Sequence, residues 1–139
     1  MNSITPDFEP LTLRGSGTFG HVIEAYDRIN DLRVAIKRIP KITNKLGREY
    51  EIITKLSECP YIVKFYGTFY SVNYKGHLIQ NLIFEYINNS LENYINELRK
   101  KEQYIPINTI KKIAKQILLA LKYCHKKNIV HRDFNQIIY

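Results

Sequence analysis

The chain is poor in the residues that mark secreted or membrane proteins. It has only two cysteines, Cys59 and Cys124, which do not make a disulfide framework, so we expect reduced thiols and a cytoplasmic protein. Its apolar runs, such as residues 117–121, are far shorter than the roughly 20 residues that a membrane-spanning helix needs. The N-terminal residues show no basic stretch before an apolar one, so we expect neither a signal peptide nor a membrane partner.

Acidic residues are also scarce, with 13 Asp and Glu against 21 Lys and Arg, which gives a formal net charge of +8. Such an excess can indicate a nucleic-acid or acidic-membrane partner. Here the lysines are spread out, and Lys111, Lys112 and Lys115 lie on the polar face of one predicted helix. We therefore expect a solvated basic surface and no nucleic-acid partner.

The chain is long enough for one domain with a core, and its first half has the pattern of a sheet. Residues 1–10, polar and with two prolines, are expected to form an N-terminal arm. Strands are predicted on either side of the glycines from residue 11 to 26, and then at 33–39, 62–70 and 78–86. Leu46, Tyr50, Ile53 and Leu56 recur at helical spacing between the third and fourth strands.

The second half changes to helical periodicity. Apolar residues from 91 to 98 predict one helix, capped by Asn89 or Ser90. Apolar residues from 110 to 124 predict a longer helix, entered through Pro106. The plan is α+β, with a sheet-bearing part at residues 11–87 and a helical part at 88–139.

Three glycines, Gly15, Gly17 and Gly20, have the spacing G-x-G-x-x-G, which also occurs in dinucleotide-binding folds. A dinucleotide-binding fold needs a helix directly after the glycines, whereas residues 22–26 here read as a strand. The glycines are therefore expected at the tip of a hairpin, where backbone N–H groups can approach phosphate oxygens. Taken alone, the motif fits an ordinary hairpin turn equally well.

Lys37 lies in an apolar strand, 22 residues after Gly15. One interpretation is an edge-strand lysine whose ammonium reaches water. The other is a positive charge held for nucleotide phosphates and paired with a helical carboxylate. Glu49 is the preferred carboxylate because it shares the apolar face of its predicted helix, whereas Glu51 points elsewhere.

A third motif, His131-Arg132-Asp133, follows the long helix and a short apolar strand. The glycine motif, the lysine strand at 34–37, a hinge-like segment at 84–87 and this tripeptide occur in one order along the chain. In that order they resemble the N-terminal part of a eukaryotic protein kinase domain, over roughly residues 11–135. Residues 59–71 and 89–107 are similar to the MAP kinase kinase branch of that family.

The resemblance implies a five-stranded antiparallel sheet with one helix, followed by the first helices of an incomplete helical lobe. It also implies that the nucleotide is ATP and that Asp133 is the base that accepts the substrate hydroxyl proton. Lys37 and Glu49 are the other two catalytic residues that it implies. The implied ATP-binding residues are Gly15, Ser16, Gly17 and Gly20 over the phosphates, Val22 and Ala35 around the adenine, Lys37 at the phosphates, Phe84 as gatekeeper, Glu85 and Ile87 in the hinge, and Ser90 near the ribose.

The sequence departs from the family near its C-terminus. Ile138 stands where the family has an asparagine that binds Mg²⁺, and no Asp-Phe-Gly follows. Mg²⁺ is expected for the family, but its usual ligands are absent from these residues. We therefore expect an ATP-binding protein kinase for Ser, Thr or Tyr, of which this chain is an incomplete and inactive portion.

Two alternatives stay open at this stage: a non-catalytic pseudokinase that binds nucleotide or a partner, and a gene fragment. The expected protein partners are a substrate or a partner kinase. Self-association is also expected, through the apolar stripe of the long helix at 107–125, which includes Ile110, Ile117 and Leu121.

Overall fold

The computed structural model describes residues 7–17, 20–41 and 48–129, apart from the side chains of residues 14–17, 20, 48 and 49. Within these ranges the chain forms five strands and three helices. In order they are β1 (Phe8–Gly17), β2 (Gly20–Asp27), β3 (Leu32–Pro40), α1 (Arg48–Leu56), β4 (Phe65–Val72), β5 (Leu78–Glu85), α2 (Leu91–Lys100) and α3 (Ile107–Lys126).

The five strands form one antiparallel sheet in the order β1-β2-β3-β5-β4. Side chains alternate between its two faces, so Val34 and Ile36 of β3 are buried on one face while Lys37 lies on the other. The buried face is a cluster formed by Ile23, Ala25, Val34 and Ile36. β-Branched and small side chains suit this pleated surface, and their burial stabilises the sheet.

The predicted five-stranded sheet with its helices is confirmed, and two strands begin three residues away from the predicted start. β1 begins at Phe8, inside the predicted arm, because Phe8 pairs with Asp27 and its ring stacks on Phe69 with centroids 5.3 Å apart. β4 begins at Phe65 and not at Ile62, because the Ile62 N–H donates to the Cys59 carbonyl in a turn at 3.3 Å.

The chain divides into two compact units. One contains the sheet and the start of α1, and the other contains residues 52–63 and 87–139, with α2 and α3. The sequence had assigned 52–63 to the sheet-bearing part, 11–87. In the second unit Ser90 is the N-cap of α2, since its Oγ accepts a hydrogen bond from the Asn93 N–H at 3.1 Å.

The long helix α3 has a mixed apolar face. Ile113 is buried, whereas Leu118 is 65% exposed and Ile110 is exposed as well. Self-association through residues 107–125 remains a prediction. None of the helices in the described ranges is long and apolar enough to cross a membrane.

Asp27 ends β2 and holds the turn after it. Its carboxylate accepts hydrogen bonds from the Ile29 N–H at 3.0 Å, the Asn30 N–H at 3.1 Å and the Asn30 side chain at 2.8 Å. Burial acts to raise the pKa of Asp27, but these hydrogen bonds together hold that pKa below its ordinary value.

Replacing Asp27 by asparagine is expected to cost about 1–2 kcal/mol of unfolding free energy at pH 7. Because the folded pKa is lowered, the carboxylate stabilises the fold above its unfolded pKa of about 3.9. This stabilisation disappears as the pH falls through the folded pKa. Urea denaturation at pH 7 and pH 3 should show that the difference in unfolding free energy between the unmodified chain and Asp27→Asn is smaller at pH 3. An equal difference at both pH values would rule out this role, and so would the same loss of unfolding free energy in the exposed Asp31→Asn control.

Candidate nucleotide-binding site

The glycine motif lies at the tip of the β1–β2 hairpin. Gly17 pairs with Gly20 as the last pair of the ladder, and Gly15 pairs with Val22. The ladder shifts register between Leu13 and Gly15, which is an irregularity of the kind that re-aims a strand. Gly20 begins a strand and not a helix, so the hairpin prediction is correct and the dinucleotide-binding arrangement is excluded.

Four of the predicted site residues share one face of the sheet on three adjacent strands. Val22 pairs directly with Lys37, and Ala35 pairs directly with Phe84. Directly opposed residues have Cβ atoms about 4.5–5.5 Å apart, so these side chains are neighbours. This face is opposite to the buried cluster of Val34 and Ile36. The sheet therefore presents two small apolar groups, one aromatic ring and one ammonium group beside the glycine hairpin.

Lys37 is not an edge-strand lysine. β3 lies between β2 and β5, two strands in from the β4 edge, and the Lys37 side chain is half-buried. The edge-strand interpretation left open by the sequence is therefore wrong.

An aromatic series connects this face to α1. The rings of Phe84 and Phe65 lie 5.5 Å apart, and the Tyr50 ring of α1 meets Phe65 edge-on at 6.1 Å. Glu49 precedes Tyr50 in the first turn of α1, but its side chain lies outside the described residues, so its pairing with Lys37 remains a prediction. Glu51 is exposed.

Sequence reasoning missed Glu24, which is buried on the same face and pairs with Ala35. Its carboxylate accepts a hydrogen bond from Thr12 Oγ1 at 2.8 Å and forms an ion pair with Arg33 Nε at 3.4 Å. The Arg33 guanidinium in turn lies over the Tyr86 ring at 5.7 Å. These contacts link β1, β2 and β3 to Tyr86, the residue that follows β5. The available signal was a carboxylate inside an apolar strand, which needs a partner.

The hinge residues are held in different ways. The Glu85 N–H donates to the Lys64 carbonyl at 2.9 Å, and its carboxylate accepts from the Lys64 N–H at 2.7 Å, so the end of β5 is tied to the start of β4. Ile87 and Ser90 belong to the other compact unit, where Ser90 caps α2. Asp133 and Ile138 lie outside the described residues.

The described part of the chain contains no group of three or more His, Cys, Asp or Glu residues placed to hold a metal ion. Ile138, at the sequence position of a family Mg²⁺ ligand, has a side chain without a donor atom. The residues present therefore do not fit a complete Mg²⁺ site of the kind that the family uses.

A family model described as "Protein kinase domain" matches residues 8–136, nearly the whole chain. The chain belongs to the protein kinase domain family. Proteins of this family use ATP and Mg²⁺, and the glycine motif, Lys37 and the His131-Arg132-Asp133 tripeptide are motifs of that family.

Curated relatives of this kinase domain include "Cyclin-dependent kinase B2-2" of Arabidopsis thaliana, 31% identical over 132 residues, covering 91% of this chain and 42% of the relative. "Cyclin-dependent kinase 1" of Encephalitozoon cuniculi is 29% identical, with 94% and 44% covered. "Probable serine/threonine-protein kinase glkA" of Dictyostelium discoideum is 35% identical, with 91% and 25% covered. The kinase domain seen here thus spans less than half the length of these relatives.

These relatives do not support the predicted resemblance to the MAP kinase kinase branch, since they are cyclin-dependent kinases and a probable serine/threonine kinase. That prediction used residues 59–71 and 89–107. The second stretch contains α2, which buries no residue, so packing constrains its sequence little.

Proposed function

We propose that this chain is the nucleotide-binding portion of an ATP-dependent protein serine/threonine kinase. The observation that carries the proposal is the shared face of Val22, Ala35, Lys37 and Phe84 beside the glycine hairpin. Small apolar groups next to an ammonium group and to the glycine backbone of a hairpin tip suit a purine attached to phosphates. In this proposal the adenine lies against Val22 and Ala35, and Phe84 limits the depth of its pocket.

The phosphates are assigned to the hairpin and to β3. The backbone N–H groups of Gly15, Ser16, Gly17 and Gly20 are assigned to the phosphate oxygens, because glycine has no side chain to prevent their approach. The Lys37 ammonium contacts the α and β phosphates, and Glu49 holds it in place. The backbone of Glu85 and Ile87 is assigned to the adenine edge, and Ser90 to the ribose side.

Phosphoryl transfer depends mainly on positioning and on electrostatic stabilisation of the transferring group. Asp133 is proposed to accept the proton of a substrate serine or threonine hydroxyl. Magnesium ions supply charge neutralisation at the phosphates in this family. Because Ile138 cannot bind a metal ion, we assign no catalytic step of this chain to Mg²⁺.

A non-catalytic, nucleotide-binding pseudokinase is the second candidate, favoured by Ile138 at the metal-ligand position. In either case the proposed protein partners are a substrate or a regulatory subunit. Several relatives are named cyclin-dependent kinases, which makes a cyclin-like subunit one candidate. Free thiols at Cys59 and Cys124 agree with a cytoplasmic location as part of the proposal.

The 139-residue chain is expected to bind a fluorescent ATP analogue without transferring phosphate to myelin basic protein. Binding is followed by the analogue's fluorescence, and transfer by label from γ-labelled ATP with Mg²⁺ present. Absence of saturable binding would contradict the proposed nucleotide site. Mg²⁺-dependent transfer that Asp133→Asn abolishes would instead show that this portion is catalytically complete.

A further inference from the structure

Charge is divided between the two ends of the sheet. The end where β2 and β5 finish carries the acidic side chains, namely Asp7, Glu9, Glu24, Asp27, Asp31 and Glu85. Two arginines at that end are neutralised there. Arg28 Nη2 lies 3.3 Å from Glu9 Oε2, and Arg33 Nε lies 3.4 Å from Glu24 Oε1.

The other end, where β3 and β4 finish and β5 begins, we call the basic end; it carries His21, Arg38, Lys41, Lys75 and His77. The sequence has no Asp or Glu between residues 32 and 48 or between residues 59 and 84. Among the residues that the structure describes, Arg38, Lys41 and Lys75 contact neutral groups only. The basic end therefore attracts anionic groups.

Arg38 is oriented before any ligand arrives. Its Nε donates to Asn81 Oδ1 at 3.1 Å, and its Nη2 approaches Ser71 Oγ at 3.5 Å. Asn81 is fully buried and is itself fixed by hydrogen bonds to Ser71 Oγ at 2.9 Å and to the Phe69 carbonyl at 3.2 Å. Since Ser71 belongs to β4, the guanidinium reaches from β3 across β5 to the edge of the sheet. An arginine held in this way loses little conformational freedom when a carboxylate binds it.

A second cation and an apolar surface lie on the opposite face of the same edge. Lys41 Nζ donates to the Tyr70 hydroxyl at 3.0 Å and lies 4.5 Å from the centre of that ring. Val72, paired with Leu78, is 62% exposed beside it. This face thus offers a cation and an apolar pair.

β4 is an edge strand, so its outer backbone groups can pair with another extended chain. We propose that the β4 edge at the basic end is a docking site for an acidic, extended segment of a partner protein. In such a segment alternate side chains point to opposite faces, which places carboxylates at Arg38 on one face and at Lys41 on the other. Aliphatic residues of the segment contact Val72 and Leu78. A second copy of this chain is a poor occupant because its formal net charge is +8.

The test uses the full chain and a fluorescein-labelled peptide, Glu-Val-Glu-Val-Glu-Val-Glu-Glu, in fluorescence anisotropy at physiological salt and without nucleotide. Saturable binding is expected, and Arg38→Gln should weaken it about tenfold, which is about 1.4 kcal/mol, because the variant loses a hydrogen bond to a charged group. Arg28→Gln changes the net charge equally at the opposite end of the sheet and should alter affinity less than about twofold.

Lys41→Gln tests the site independently of Arg38. Its exposed hydrogen bond to Tyr70 is not part of the core, so the substitution should leave folding unaffected. It too should weaken the peptide complex, while thermal melting checks that each variant is folded. The proposal is overturned if Arg38→Gln and Arg28→Gln weaken binding equally, or if a peptide with Gln in place of Glu binds as well. Absence of binding overturns it too. Tighter binding of a single-stranded oligothymidylate, lost with Arg38→Gln, would assign the site to nucleic acid and reject a protein partner.

Discussion

Replacing Lys37 by methionine is expected to weaken the binding of a non-hydrolysable ATP analogue by about tenfold to a hundredfold. The ammonium group lies on the central strand β3, opposite Val22 and beside the glycine hairpin, where the proposed phosphates lie. Methionine keeps most of the side-chain volume but removes the charge. Hydrogen bonds to a charged group contribute about 1.5–3 kcal/mol each, and every 1.4 kcal/mol is a tenfold change in affinity.

Isothermal titration calorimetry measures this change, with thermal melting to show that the variant remains folded. Lys41→Met is the matched control because it removes the same charge directly after the same strand, next to Tyr70. The control should retain its affinity within about twofold, because Lys41 is not one of the residues of the proposed nucleotide site. Equal affinities of Lys37→Met and the unmodified chain would contradict the proposed role of Lys37.

Replacing Ile36 by alanine is expected to lower the unfolding free energy of the sheet by about 2–5 kcal/mol. Ile36 is fully buried in the centre of the cluster, paired with Ile23 on β2 and with Ile83 on β5. Alanine would remove three carbon atoms from a site enclosed on both sides by neighbouring strands. The surrounding residues belong to a hydrogen-bonded ladder, so they cannot move together freely to fill the cavity.

Urea denaturation followed by circular dichroism measures the loss. Ile29→Ala is the matched control, because Ile29 is 71% exposed in the turn after β2 and its truncation should cost little. If the two variants lost similar stability, the core would not be centred on β3 as described.

Local patterns predicted the elements of the sheet well. The β-branched residues of β3 and the helical spacing in α3 are properties of neighbouring residues, so they can be read from the chain. The start of β4 was not readable in this way, because the apolar run from Ile62 looks like a strand until the Ile62 N–H is found in a turn with Cys59. A long-range stacking contact, between Phe8 and Phe69, likewise decided where β1 begins.

The candidate site was predictable only in its residue types. Spacing indicated that Lys37 and the glycines act together, but that Val22 faces Lys37 depends on the register of the β1–β2–β3 ladder. The partners of Glu24, which are Thr12 and Arg33, are cross-strand neighbours that no periodicity specifies. The anchoring of Arg38 by Asn81 joins residues 43 positions apart for the same reason.

Amide chemical-shift mapping of the isotope-labelled chain, titrated with a non-hydrolysable ATP analogue, tests the central claim most directly. The account predicts saturable shifts at Gly15, Gly17, Gly20, Val22 and Ala35, on the hairpin and the sheet face described above. Shifts confined to Lys41, Lys75 and the β4 edge would mean that the phosphates bind elsewhere, and an unchanged spectrum at millimolar analogue would contradict nucleotide binding by this face.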